Sequence, residues 1–79
     1  MIKTGLKPKS LRGIFFTDQQ GQTYTMSGRV YGVVSDDGSF ICLNREGIVS
    51  AWSRSTAQMV AESVNQDGTA KWVAPTHSF

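Results

Sequence analysis

From Leu11 onward the apolar residues fall in short runs broken by turn chemistry, the pattern of β-strands joined by tight loops. LRGIFFT (11–17) ends in DQQGQ, whose Asp and Gly suit a tight turn. QTYTM (22–26) then alternates, with Tyr24 and Met26 on one side and Thr23 and Thr25 on the other, so the two runs predict a hairpin. RVYGVVS (29–35) is rich in β-branched and aromatic residues, and Asp36-Asp37-Gly38 after it holds the Asp-Gly pair favoured in hairpin turns. SFICLN (39–44), a turn at Arg45-Glu46-Gly47 and IVSAW (48–52) complete an expected meander.

The period then changes. Ser55-Thr56-Ala57-Gln58 fits a capping box, and Ala57, Val60, Ala61 and Val64 recur at i, i+3, i+4 and i+7. Together they predict a helix near residues 55–66 with one buried stripe of small side chains, and Gly68 suits the left-handed position past its end. A short final strand, TAKWV (69–73), is stopped by Pro75. The expected fold class is α+β: a small antiparallel sheet, a meander of about four to five strands, with the helix packed on one face.

Two strands break the alternation of a half-exposed sheet. Phe40 and Cys42 oppose Ile41 and Leu43, and Val30 and Val34 oppose Tyr31 and Val33. Both faces of the central strands are therefore apolar, while a single helix covers one. Either the sheet curls into a small barrel closed by residues 11–17 or 69–73, or a second copy of the chain or another protein supplies the missing layer.

Before Leu11 no period is visible. MIKTGLKPKSLRG carries Lys3, Lys7, Lys9 and Arg12 and no acid, a charge of +4, whereas residues 14–79 sum to −2. This divides the chain into a basic leader (1–10), flexible or at most an edge strand, one α+β domain (11–74) and a frayed tail (75–79). Deleting residues 1–9 is then expected to leave the fold intact.

The composition, 39% apolar and 18% charged over 79 residues, is that of one small globular domain. Cys42 is the single cysteine and His77 the single histidine, so neither an internal disulfide nor a common Cys/His zinc site can be built. No metal or cofactor is expected. The basic start runs into Lys-Pro-Lys-Ser rather than an apolar stretch, and no apolar run is long enough for a transmembrane helix, which sets the expectation at a cytoplasmic protein that engages no membrane.

Catalytic chemistry has little to draw on. His77 stands near the end of the chain, Cys42 lies between Ile41 and Leu43 where a thiol is inert, and Asp36 and Asp37 serve a turn. Gly28 and Gly32 match no phosphate-loop pattern. The chain reads as a non-enzyme with no small-molecule substrate.

A protein-binding role is the leading expectation, with another protein or a second copy of the chain as partner. Interfaces are anchored by a few aromatic, Met and Arg residues, which selects Tyr31, Trp52, Arg54, Met59 and Trp72. At about 100° per residue, Met59 lies opposite the Ala57/Val60/Ala61/Val64 stripe. The alternative is a DNA- or RNA-binding domain using Lys3, Lys7, Lys9 and Arg12, with Arg29 and Lys71 among the strand aromatics Phe15, Phe16, Tyr24, Tyr31 and Phe40. Nucleic acid is secondary because the domain body is mildly acidic. In size, motif-free α+β profile and basic start the chain is similar in outline to small accessory proteins of phages and mobile elements, including anti-CRISPR inhibitors. That likeness implies an accessory or inhibitor docking on a larger host protein or nucleoprotein complex, and it transfers no residues.

Overall fold

A computed structural model describes residues 3–43, 47–64 and 70–76. The described chain forms β1 (Lys7–Ser10), β2 (Phe15–Thr17), β3 (Thr23–Thr25), β4 (Tyr31–Val34), β5 (Phe40–Cys42), α1 (Arg54–Ser63) and β6 (Lys71–Val73). An antiparallel four-stranded sheet runs in the order β1-β4-β5-β6, and β2 pairs with β3 in a separate two-stranded sheet. The fold is thus a small α+β arrangement of antiparallel sheets and one helix, and its described strands do not close into a barrel.

The hairpin covers the second face. Val33 and Ile41 are fully buried beneath Ala57 of the helix, with Leu6, Tyr31, Trp52, Val60, Ala61, Val64 and Trp72 packed around them. Their strand neighbours Val34 and Phe40 point the opposite way, into a cluster with Leu11, Phe16 and Val49. Phe16 comes from the β2–β3 hairpin, whose Phe16↔Tyr24 pair faces the sheet. The Phe16 ring meets Phe40 edge-on at 5.4 Å and stacks on Tyr24 at 5.7 Å, the offset geometries aromatic rings prefer. Three layers result: helix, four-stranded sheet, hairpin. Gly32 is needed at the contact, since a Cβ there would lie 3.0 Å from Leu11 Cδ2 and 3.2 Å from Phe40 Cδ2.

Several expectations are corrected by the pairing. The sheet begins at Lys7 rather than at residue 11, because Lys7–Ser10 of the supposed leader pair with β4 and Leu6 packs on the helix side. As an edge strand β1 needs no apolar alternation. Pro8 is tolerated there, and lysines at an edge discourage further strand pairing. At the other terminus, Thr76 N donates to Phe15 O at 2.7 Å, so Pro75 and Thr76 lie against β2, while 77–79 fall outside the described residues.

The segment 48–52 is no third strand of a simple meander. The outer edge of β5 is taken by β6, and the β4–β5 ladder holds only the Val34↔Phe40 pair before the strands part. Residues 48–52 enter the gap. Ser50 N donates to Ile41 O at 3.1 Å, and Trp52 and Tyr31 exchange both backbone hydrogen bonds at 2.8 Å. Val49 N donates to the Tyr24 hydroxyl at 3.1 Å, tying this segment to the hairpin.

The helix starts and ends earlier than expected, at Arg54 and Ser63 rather than near 55 and 66. Ser53, not Ser55, is its N-cap, accepting from Thr56 N at 3.4 Å and donating to Thr56 Oγ1 at 2.9 Å. The expected stripe faces the sheet as read, with Ala57 fully buried. The turn residues Arg45 and Glu46, and the Gly68 stop, lie outside the described residues.

Two outcomes follow from this packing. Deleting residues 1–9 removes Leu6 and most of the β1 ladder, and is expected to cost roughly 3 kcal/mol or more, seen as a lower urea midpoint or loss of cooperative unfolding by circular dichroism. Replacing Ser53 by Ala is expected to cost about 1 kcal/mol, whereas Ser55→Ala stays within about 0.5 kcal/mol in the same measurement.

Candidate functional site: a basic cleft beyond the β1–β4 ladder

The five residues selected as partner anchors do not form one surface. Tyr31, Trp52 and Trp72 are brought together, half-buried, in the layer beneath the helix, and their bulk serves the core. Arg54 and Met59 are exposed on α1, but five positions on a helix separate them by about 140°. Met59 is 65% exposed and Leu43 54%, the large apolar side chains most open to solvent among the described residues. Isolated exposures of this kind are ordinary on a soluble surface.

The basic residues of the amino-terminal segment have separate fates. Lys3 is paired with Asp37 in the β4–β5 turn and is only 15% exposed. Around that turn Asp36 N donates to Thr4 O at 2.9 Å, and the Asp37 carboxylate also accepts from the Ser35 and Ser39 hydroxyls and from Ser39 N. Gly5 permits the approach: its φ of +68° suits glycine, and a Cβ would fall 2.0 Å from Asp36 Oδ1. The Lys3 ammonium, then the two serine hydroxyls and the Ser39 N–H, hold the Asp37 carboxyl well below the usual carboxylate range. Lys3 is therefore committed to the fold.

Arg12 has a different neighbour. The β1–β4 register pairs Lys7 with Val34 through Ser10 with Tyr31, and Leu11 N continues it by donating to Val30 O at 3.1 Å. There the ladder ends: Arg12 is bridged to Met26 instead, and Arg29 lies in the bend that leads into β4. Both arginines are exposed, and both line a surface cleft of about 500 Å³ with Gly13, Phe15, Thr25, Met26, Ser27 and Gly28.

Each wall has a local cause. Phe16 and Tyr24 face the core, so the adjoining Phe15↔Thr25 pair must face away from it, and Phe15 forms part of the cleft. Thr25 Oγ1 donates to Ile14 O at 2.8 Å, which fixes that side chain against the hairpin. Met26 is bridged to Arg12 and packs its other side on the Leu11–Phe16 core.

The electrostatics of the cleft are one-sided. None of its lining residues is acidic. Asp18 sits at the far end of β2, where its carboxylate accepts from Gln20 N and Gln22 N at 2.9 Å to close the hairpin turn. Asp36 and Asp37 lie beyond the opposite end of β4. Two cations lining one cleft repel each other, and an anion between them would offset that cost. A planar guanidinium fork binds carboxylate or phosphate in bidentate fashion.

Lys7 and Lys9, exposed on β1, lie outside the cleft lining. Arg12 was legible in the sequence as a leader charge and Arg29 as a charge among strand aromatics. That both line one cleft was not, because it depends on how the hairpin packs beside β1 and β4.

Catalytic and metal chemistry gain no support from this arrangement. Cys42 is buried in β5, and His77 lies outside the described residues. Among the described residues no three His, Cys, Asp or Glu side chains are grouped to hold a metal ion, and no helix is long and apolar enough to cross a membrane. No protein-family model, curated protein or solved structure matches the chain.

The Asp37 network predicts an acid-side loss of stability. The folded state holds this carboxyl below its ordinary value of 3.8, so the contribution is present above that pH and drains away as the pH falls below it. Chemical denaturation of the Asp37→Asn variant is expected to show a flatter stability profile below about pH 4 than the wild type.

Proposed function

We propose that this chain is a non-enzymatic binding module, an accessory or inhibitor in type, that docks on a larger protein or nucleoprotein partner through the Arg12–Arg29 cleft. The observation that carries the reading is a cleft lined by two exposed arginines, with no acidic residue in its lining, that also offers Phe15 and Met26. Arginine, methionine and aromatic side chains are those enriched at interface centres. The layered core supports the same view from another direction. The apolar faces of β4 and β5 are covered from within by α1 and the hairpin, so a second copy is not required to complete the core.

Met59, exposed on α1, is the alternative docking point to be tested beside the cleft. The two surfaces lie on separate elements and can be separated by substitution.

Tagged wild-type chain passed through a host-cell lysate, with and without nuclease, is expected to retain a near-stoichiometric partner or nucleoprotein. Arg12→Glu/Arg29→Glu is expected to reduce recovery at least tenfold, while Met59→Asp leaves it within about twofold. Retention by the double-Glu chain together with loss by Met59→Asp would move the docking surface to the helix. Retention by both variants would remove both surfaces.

A further inference from the structure

The cleft has features that a simple anion site does not need. Two guanidinium groups lining one cleft can grip a tetrahedral anion, but Phe15 adds an aromatic side chain turned away from the core beside them. Basic residues joined to an aromatic platform suit a ligand that carries both a phosphate and a planar ring. The cleft volume of about 500 Å³ falls within the range of sites that hold such a unit.

Lys9, exposed three residues before Arg12, lies within about 10 Å of it along the chain and adds to the local positive potential without lining the cleft. About two to three phosphates are the reach of this charge. Duplex bases are stacked on one another and closed to an aromatic platform, whereas those of a single strand are open to it.

We propose that the cleft binds one phosphate–base unit of a single-stranded nucleic acid, with Arg12 and Arg29 on the phosphate and Phe15 against the base. This assignment rests on the binding-module reading above and names the chemistry of the partner at its central contact. Recognition is sequence-tolerant, since the cleft offers stacking and charge and no ordered array of side-chain amides.

The test is fluorescence anisotropy with a labelled oligothymidylate of about 12 nucleotides, titrated with the full chain at 50 and 200 mM NaCl. With two to three phosphates neutralised, affinity is expected to fall roughly 7- to 20-fold between those salts. Arg12→Gln and Arg29→Gln are each expected to weaken binding about tenfold or more. Phe15→Leu is expected to weaken it about fivefold or more and Phe15→Tyr to restore it, with circular dichroism melts confirming that each variant folds. The duplex of the same length is expected to bind more weakly than the single strand.

Absence of binding at 50 mM NaCl, or affinity unchanged in the Arg12→Gln/Arg29→Gln chain, overturns the proposal. Thymidine monophosphate competing as well as the oligonucleotide, mole for mole, also overturns it and makes the cleft a mononucleotide site. A nuclease-resistant protein partner lost with Arg12→Glu/Arg29→Glu, in a chain that binds no oligothymidylate, overturns the nucleic-acid assignment and leaves the binding-module reading standing.

Discussion

Everything in this small fold turns on having to cover two apolar faces of one pair of strands. Val33 and Ile41 point one way and Val34 and Phe40 the other, and none of the four is more than 5% exposed. A chain of 79 residues has little material for two coverings. It uses a ten-residue helix on one side and a short hairpin on the other, each contributing a small number of fully buried groups. Ala57 lets the helix approach closely, and Gly32 leaves room for Leu11 and Phe40 on the opposite face. With so few contacts per layer, the edge strand β1 and the inserted segment 48–52 become structural necessities. Burying a strand on both faces also requires that its backbone groups be paired on both edges, or they would be left without partners in the interior.

The candidate site is a by-product of that solution. The chain must pass from the end of β1 into the hairpin and return from the hairpin into β4, and the two passages lie side by side because β1 and β4 are paired. Arg12 sits on the outgoing passage and Arg29 on the returning one, and both line the same cleft. The hairpin turns Phe16 inward to close the core, and strand alternation then turns Phe15 outward into the cleft. The position of the basic pair is thus fixed by the packing of the core rather than by the loops alone. A binding group held in this way loses less freedom on association than one carried on a loose leader.

The charge asymmetry of the sequence takes on a different meaning in three dimensions. Counted along the chain, the positive excess belongs to the first thirteen residues and the acids to the rest. Folded, Lys3 is drawn to Asp37 at one end of the sheet while Arg12 joins Arg29 at the other. Among the described residues an ionic network is satisfied at the turn, while the cleft lining at the other end of β4 holds two cations and no acid. Net charge says little about partners in such a case, because the field that a ligand meets is local and is screened over about 10 Å.

By itself the sequence determined the elements whose signals are local. The hairpin from 15 to 25 follows from a polar turn flanked by alternating residues, β4 and β5 from their β-branched and aromatic content, and the helix from the spacing of Ala57, Val60, Ala61 and Val64. The need for a second covering layer was also legible, since Phe40 and Ile41 are adjacent and both apolar. Tertiary structure alone decided what that layer would be, because the hairpin's inward face can be satisfied by any apolar surface and only the connected fold brings it to β4 and β5. It decided that KPKS is a strand, since an edge strand is defined by its neighbour's open hydrogen bonds and carries no pattern of its own. It also chose Ser53 over Ser55 as the helix cap, a choice between two equivalent hydroxyls made by where the chain leaves the Trp52–Tyr31 pairing. That Arg12 and Arg29, seventeen positions apart in the chain, line one cleft is the same kind of outcome: the packing of the hairpin beside β1 and β4 put them there, and no local pattern encodes it.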